Sequence, residues 1–188
     1  MLLSARGLSL GALVVAATVL LVYLAVAMPA NRLFFLGAST LGLHILALEA
    51  GPAAAGAAVL ASSLLVFLLL PVGPWTLAFW GFFAPYALVK YGAGRLRRPA
   101  LAWMLKLLFF NLGLAGALAL LLVAPAAGEA GLLARLLPWG DRFWPATGGA
   151  SWFSAVVAVG NGAFLVYDWA LSYFAAYWMR RFRPRYGT

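Results

Sequence analysis

Six polar side chains that lie within long apolar stretches are the residues of this chain best suited to do chemistry. They comprise two carboxylates, one lysine, one histidine and two asparagines: His44, Glu49, Lys106, Asn111, Asn161 and Asp168. Polar groups are costly in hydrocarbon, where they pair with one another or mark the pathway of a substrate or proton. These six residues are therefore the first candidates for a functional site.

Helix geometry places several of them at related depths. At about 1.5 Å per residue, Lys106 lies roughly 10 Å, Asp168 roughly 17 Å and His44 about 9 Å from the inner end of its helix. Since a lysine side chain can span the difference, we predict that Lys106 pairs with Asp168 or Glu49. His44 and Asn111 belong to the same predicted buried polar cluster. The cluster has two interpretations, an ion pair that fixes helix packing and a direct role in transport or coupling.

Asn161 is predicted to lie apart from this cluster, on the outer half of the last helix. It precedes Asp168 by two helical turns on roughly the same face. Tryptophans flank this region and complete a candidate ligand cavity, whose members are Asn161, Trp139, Trp144 and Trp152.

The elements that carry these residues are six apolar stretches, most of them about the length of a membrane-spanning helix. Their continuity favours helices over a β-barrel, whose strands alternate in hydrophobicity. The sequence therefore predicts an all-α fold, a single transmembrane domain of six helices over residues 1–188. The predicted spans cover residues 8–28, 33–50, 53–70, 75–91, 100–124 and 152–179, and the fourth is short and interrupted by Gly81 and Pro85.

Composition supports a membrane protein. Hydrophobic residues make up 66% of the chain and charged residues 9%, too few to solvate a water-soluble surface of this size. The net charge of +9 does not indicate nucleic acid, because the basic residues stand at helix ends. The absence of cysteine excludes disulfides and thiolate chemistry.

The basic residues also predict the orientation. With an inner N-terminus, nine lysines and arginines fall on the inner side: Arg6, Lys90, Arg95, Arg97, Arg98, Arg180, Arg181, Arg183 and Arg185. Only three fall on the outer side: Arg32, Arg135 and Arg142. Both termini are therefore predicted to be cytoplasmic. The first stretch resembles a secretory signal, but its apolar run is long, and we expect an uncleaved helix.

The predicted outer loop covers residues 125–150. Within it, residues 132–137 form an apolar, amphipathic piece that ends at Pro138. This piece is either an interfacial lid over a ligand or a plain surface loop.

Small residues recur four apart in the first stretch, at Gly7 and Gly11 and again at Ala12 and Ala16. This spacing lets another helix approach closely. Ordinary packing within the bundle is the alternative explanation.

The residues give little support to an enzyme. Ser151 and His44 are a superficial match to an intramembrane protease, but helix rise separates them by roughly 20 Å. No acidic cluster, phosphate-binding glycine loop or set of histidines is visible in the sequence. We therefore expect no catalytic residues, no metal and no cofactor.

Two resemblances accompany these observations. The short chain with six spans, the Ala12 and Ala16 pair and the turn over residues 48–56 resemble the substrate-binding S components of energy-coupling factor (ECF) transporters. The stretches over residues 109–111 and 160–168 resemble an uncharacterised bacterial family of membrane proteins of similar size, which implies no known activity.

The S-component resemblance implies a small-molecule-binding transport subunit in the bacterial cytoplasmic membrane, without its own ATPase. Ala12 and Ala16 would dock a transmembrane coupling subunit, which works with separate ATPases, and a ligand would bind near the outer side. Because almost no loop joins the first two spans, only residues 125–150 would serve as a lid. Two other functions stay open, a membrane interaction or scaffold protein and, less favoured by the residues, an intramembrane enzyme.

Overall fold

The fold was obtained as a computed structural model, which describes residues 5–28, 30–123 and 149–182. Within these ranges the chain is helical and contains no strand. The elements are α1 (Ala5–Ala27), α2 (Arg32–Ala50), α3 (Pro52–Leu69), α4 (Pro74–Ala78), a π-helical turn (Phe79–Phe83), α5 (Ala84–Ala93), α6 (Pro99–Val123) and α7 (Gly149–Phe182). The predicted all-α class is thus confirmed for the described chain.

Five of these helices are long and apolar enough to cross a membrane: Gly7–Ala27, Arg32–Ala50, Pro52–Leu69, Pro99–Leu118 and Ser154–Arg181. They match five of the six predicted spans. The predicted fourth span instead consists of α4, the π-helical turn and α5 in direct succession. Residues 125–148 of the predicted outer loop lie outside the described residues, together with Trp139, Trp144 and the side chain of Trp152, whereas residues 149–150 already belong to α7.

The outer surfaces of the long helices are apolar. Large side chains such as Leu13, Leu60, Met104, Val159 and Trp169 are each 40% exposed or more. A water-soluble protein rarely exposes so much contiguous apolar surface, whereas lipid tails accept it at no cost. Such an exposed surface is typical of a membrane protein.

The chain divides into two compact units, which we describe separately. Unit 1 comprises Met1–Lys106 and Tyr167–Thr188, and unit 2 comprises Leu107–Val166. The core of unit 1 lies where α2 packs against α1, α3 and α5. Its fully buried side chains include Val22, Leu36, Leu43, Leu46, Val66 and Phe79.

A π-helical turn interrupts the α4 to α5 path. Pro85 has no backbone N–H, so the regular α-helical bonding pattern cannot continue through it. The Ala84 N–H instead bonds to the Phe79 carbonyl, five residues back, which is the π-helical pattern. Helix α2 supports this stretch: Thr40 Oγ1 donates to the Phe83 carbonyl at 2.9 Å, and His44 Nδ1 contacts the Ala87 carbonyl at 3.2 Å. The first contact holds the π-helical turn against α2, and the second holds α5 against it.

Unit 2 contains the described second part of α6 and the first part of α7. The rings of Phe110 and Phe164 stack at 4.6 Å between centroids. Gly160 lies against this contact, since a Cβ there would come within 3.5 Å of Leu114 and 3.6 Å of Phe110. The small residue therefore permits the two helices to pack closely in this unit.

Candidate functional site

The candidate site is a buried charged cluster in unit 1, built on two helix faces. Tyr86 and Lys90 are four residues apart on α5, and Asp168 and Ser172 are four residues apart on α7. Residues with this spacing lie above one another on one side of a helix. Each helix therefore presents two polar groups to the other.

Asp168 is the centre of the cluster and is almost completely buried. Its Oδ1 accepts one hydrogen bond from the Tyr86 hydroxyl, at 2.6 Å, and another from the Lys90 ammonium. Its Oδ2 accepts from Lys106 Nζ at 2.8 Å. The predicted pairing of Lys106 with Asp168 is thus present, and both carboxylate oxygens have protein partners.

Lys90 is a member of the cluster that the sequence analysis did not include. It was counted only among the basic residues of the inner side, at the end of the predicted fourth span, whereas in the structure its side chain is only 5% exposed. Besides the Asp168 carboxylate, its ammonium donates to the Asp168 carbonyl at 2.9 Å and to Ser172 Oγ at 2.8 Å. All three of its N–H groups therefore have protein acceptors. Removing Lys90 from the inner basic residues leaves the predicted orientation unchanged, because the excess there remains large.

Lys106 differs from Lys90 in its surroundings. Its side chain is 14% exposed, and among the described residues its ammonium has one hydrogen-bond acceptor, Asp168. The same nitrogen lies 4.6 Å from the centre of the Trp103 ring, a cation–π distance. An ammonium group has three N–H donors, so Lys106 retains donors for a further acceptor.

Aromatic rings enclose the cluster on one side along α5. Phe82 stacks on Tyr86 at 5.1 Å, and Tyr167 lies 5.9 Å from Tyr86 and 5.8 Å from Phe83. Gly37 makes room for Tyr167, since a Cβ at Gly37 would approach its ring to 3.1 Å. These rings exclude water from that side, one helical turn before Lys90.

A cavity of about 460 Å³ that is widely open to the surface lies on the other side of the cluster. It stands where α2 and α7 end, α5 finishes and α6 begins. Its polar lining comprises His44, Lys90, Arg95, Lys106 and Ser172. Its apolar lining includes Leu48, Ala175, Ala176 and Met179, and the described lining contains no acidic side chain. A volume of this size suits a small organic molecule.

His44 was predicted to join the charged cluster; among the described residues its ring bonds to the Ala87 carbonyl and not to Asp168. Because a carbonyl oxygen can only accept, the contact to the Ala87 carbonyl requires that Nδ1 carry a proton. The ring is buried and lines the cavity. Its position is therefore fixed by α5 at the cavity wall.

Glu49 lies outside the cluster. Its side chain is exposed, and Oε1 accepts a hydrogen bond from Trp178 Nε1 at 2.9 Å. Of the two partners predicted for Lys106, Asp168 is the one that the structure provides.

Asn111 and Asn161 form a pair of their own in unit 2. Asn111 Nδ2 donates to Asn161 Oδ1 at 3.0 Å, and Asn161 Nδ2 donates to Asn111 Oδ1 at 3.1 Å. Each amide also donates to its own helix, Asn111 to the Leu107 carbonyl and Asn161 to the Val157 carbonyl, both at 2.8 Å. The two side chains thus satisfy each other. Asn111 was predicted to join the charged cluster and Asn161 a ligand cavity, and these roles stay predictions.

Ala12 and Ala16 are exposed on α1. The core-facing side of this helix is formed by other residues, among them Val14, Val15 and Thr18. The pair is therefore accessible to another helix.

The fold and site define an all-helical protein with apolar spans, a buried charged cluster and a cavity beside it. Comparison with family models, with curated proteins and with solved structures gave no match. Among the described residues, no group of three or more histidine or acidic side chains is placed to hold a metal ion.

Proposed function

We propose that this protein is a membrane-embedded, small-molecule-binding subunit of a transporter without its own ATPase. The observation that carries the proposal is the cavity of unit 1, whose wall is formed by a buried charged cluster. Buried ionisable groups in a membrane protein are costly, and those beside a cavity are typical of substrate pathways. No catalytic role is part of the proposal.

The position of the cavity indicates from which side of the membrane the small molecule reaches it. The resemblance to S components implies a ligand near the outer side, but the cavity lies at the end of unit 1 that the basic residues assign to the cytoplasm. We therefore propose that the small molecule enters or leaves through the cytoplasmic side.

A cavity-filling substitution tests ligand binding. Ala176 lines the cavity and is exposed, so Ala176→Trp should obstruct the cavity with little effect on the core. Native mass spectrometry of protein extracted in mild detergent should show a small-molecule adduct on the wild type and none on Ala176→Trp. Tyr177→Trp is the matched control, because Tyr177 is exposed on the same helix and does not line the cavity. Equal adducts on all three proteins would contradict the proposal.

We further propose that Ala12 and Ala16 dock a coupling subunit that works with separate ATPases. Replacing both with leucine should separate the helices sterically and abolish co-purification of the partner without lowering the melting temperature. Ala17→Leu, at a neighbouring exposed position of α1, is the control. A destabilised double variant that still recruits its partner would refute the docking role.

The proposed orientation is tested in this cysteine-free chain by Arg97→Cys and Thr147→Cys. An impermeant thiol reagent should label the two positions from opposite sides of the membrane of a bacterial host. Labelling from the same side would defeat the six-span topology with cytoplasmic termini.

A scaffold protein is the second candidate. The favouring observation is that Lys90 and Asp168 satisfy their hydrogen bonds within the protein, as members of a purely structural ion pair would. A scaffold would form a stable complex with another membrane protein and carry no small-molecule adduct.

A further inference from the structure

The charged cluster of unit 1 has an excess of positive charge. Two ammonium groups, those of Lys90 and Lys106, are bonded to the single carboxylate of Asp168. With each group in its ordinary ionised state, one positive charge has no counter-charge within the cluster. An uncompensated charge held away from water is unfavourable, and a nearby anion would stabilise it.

The two lysines do not share this excess equally. Lys90 has all its donors bonded to protein, whereas Lys106 retains donors and lines the cavity. A hydrogen bond between an ammonium and an anionic oxygen is about twice as strong as a bond between neutral groups. Lys106 is therefore the group best placed to bind an anion in the cavity.

A second cation stands at the same cavity. Arg95 lines it, and its guanidinium lies 4.5 Å from the centre of the Tyr91 ring, which also lines the cavity. The ring contact holds a planar group that bonds carboxylate or phosphate with two parallel N–H donors. The described lining contains no acidic side chain, so the charged side chains at the cavity are all cationic.

The rest of the lining limits the kind of anion. Leu48, Ala175, Ala176 and Met179 give the cavity an apolar part, and its volume of about 460 Å³ exceeds that of a bare inorganic ion. A ligand with an anionic head and a compact apolar body would satisfy both parts.

We propose that the cavity of unit 1 binds a small organic anion, with its carboxylate or phosphate head on Lys106 and Arg95 and its apolar body against α2 and α7. This names the ligand class of the proposed transport function and rests on it. The same head chemistry occurs in free metabolites and in anionic lipid headgroups, so the experiment separates the two sources.

The test uses three probes of equal ring size and different charge. Benzoate, benzamide and benzylammonium are titrated into the detergent-solubilised protein at fixed ionic strength, and binding is measured by isothermal titration calorimetry. Benzoate should bind saturably, whereas benzamide should bind at least about tenfold more weakly, the size of a lost hydrogen bond to a charged group. Benzylammonium should not bind. Phenyl phosphate is titrated in parallel as the phosphate analogue. Tighter binding of either anion than of benzamide supports the proposal.

Substitutions locate the binding. Lys106→Met should weaken benzoate binding by about tenfold or more, while Lys106→Arg should retain it. Arg95→Gln should weaken binding by about twofold to fivefold, as for an exposed ion pair. Arg97→Gln removes the same charge from the same loop at an exposed residue that does not line the cavity, and it should leave binding unchanged.

A lipid arm identifies the source of the anion. The titrations are repeated in nanodiscs of phosphatidylcholine and of phosphatidylglycerol. If an anionic headgroup occupies the cavity, phosphatidylglycerol should weaken benzoate binding to the wild type. Native mass spectra should then show phosphatidylglycerol retained on the wild type and absent from Lys106→Met. If free metabolites are the ligands, benzoate should bind equally in both nanodiscs.

Failure of this inference differs from failure of the proposed function. Equal binding of benzoate and benzamide, blocked by Ala176→Trp, would overturn the anion class and preserve a small-molecule cavity. Benzoate binding that Lys106→Met leaves unchanged, or no binding of either anionic probe in any of these settings, would also overturn the anion site. The proposed function fails when the native small-molecule adduct is absent or insensitive to Ala176→Trp.

Discussion

The charged cluster of unit 1 and the asparagine pair of unit 2 both satisfy polar side chains within apolar helices, but they do so with different partners. Asn111 and Asn161 are neutral and reciprocal, so each amide group supplies what the other needs. Asp168 instead gathers two ammonium groups and a tyrosine hydroxyl, and this leaves excess charge and free donors beside a cavity. The pair is closed and suited to helix packing, whereas the cluster remains open to a further partner.

The largest effect should come from removing the single carboxylate of the cluster. Asp168→Asn leaves the buried ammonium of Lys90 and the partly buried ammonium of Lys106 without counter-charge, and breaking a buried ion pair costs about 3–5 kcal/mol. Thermal unfolding in detergent should show a large fall in melting temperature. The double variant Asp168→Asn with Lys106→Met should be less destabilised than the sum of the single variants. Simple additivity would contradict a coupled cluster.

The two lysines of the cluster should differ in how much each contributes to the free energy of unfolding. Lys90→Met removes a side chain with three protein hydrogen bonds, whereas Lys106→Met removes one with a single such bond and leaves Lys90 paired with Asp168. Lys90→Met should therefore lower the free energy of unfolding more than Lys106→Met. The same unfolding measurements provide the comparison, and the reverse order would argue that Lys106 is the structural partner.

The asparagine pair should contribute less. Asn161→Leu leaves the side-chain amide of Asn111 without its partner across the two helices. Hydrogen bonds between membrane helices contribute about 0.6 kcal/mol on average, with a maximum near 1.7 kcal/mol. The double variant Asn111→Leu with Asn161→Leu should recover part of this loss. Neither change should affect the small-molecule adduct, and loss of the adduct would return Asn161 to the ligand site.

The smallest effect is expected at Glu49. Its hydrogen bond to Trp178 is exposed, and changes at such surface positions usually fall within about 0.5 kcal/mol. Glu49→Gln should leave both melting temperature and adduct unchanged. A large loss on this change would indicate that Glu49 contributes to the charged cluster.

The helices and one ion pair could be predicted from the sequence for physical reasons. Apolar length is set by the bilayer, so the hydropathy pattern locates five spans within a few residues. Lys106 and Asp168 are isolated charges in apolar helices, and such charges pair because hydrocarbon offers no other solvation.

The remaining parts of the cluster depend on tertiary packing. Lys90 stands only five residues before Arg95 and has the sequence pattern of a basic loop residue. Its burial follows from tertiary contacts, since α5 is held on α2 and the Lys90 ammonium bonds to Asp168 and Ser172 of α7. The spacing of Tyr86 and Lys90 was the available signal. For Asn111 and Asn161, the sequence shows only that two asparagines lie in successive helices. It does not show that the two side chains meet.

The measurement that tests the central claim most directly combines stability and occupancy in Lys106→Met. If the charged cluster is a binding site, this variant should lose the native small-molecule adduct in mass spectra while its melting temperature falls only modestly, because Lys90 still neutralises Asp168. Lys106→Arg should keep the adduct. A variant that melts far below the wild type and yet carries the same adduct would contradict the account and assign the cluster to helix packing alone.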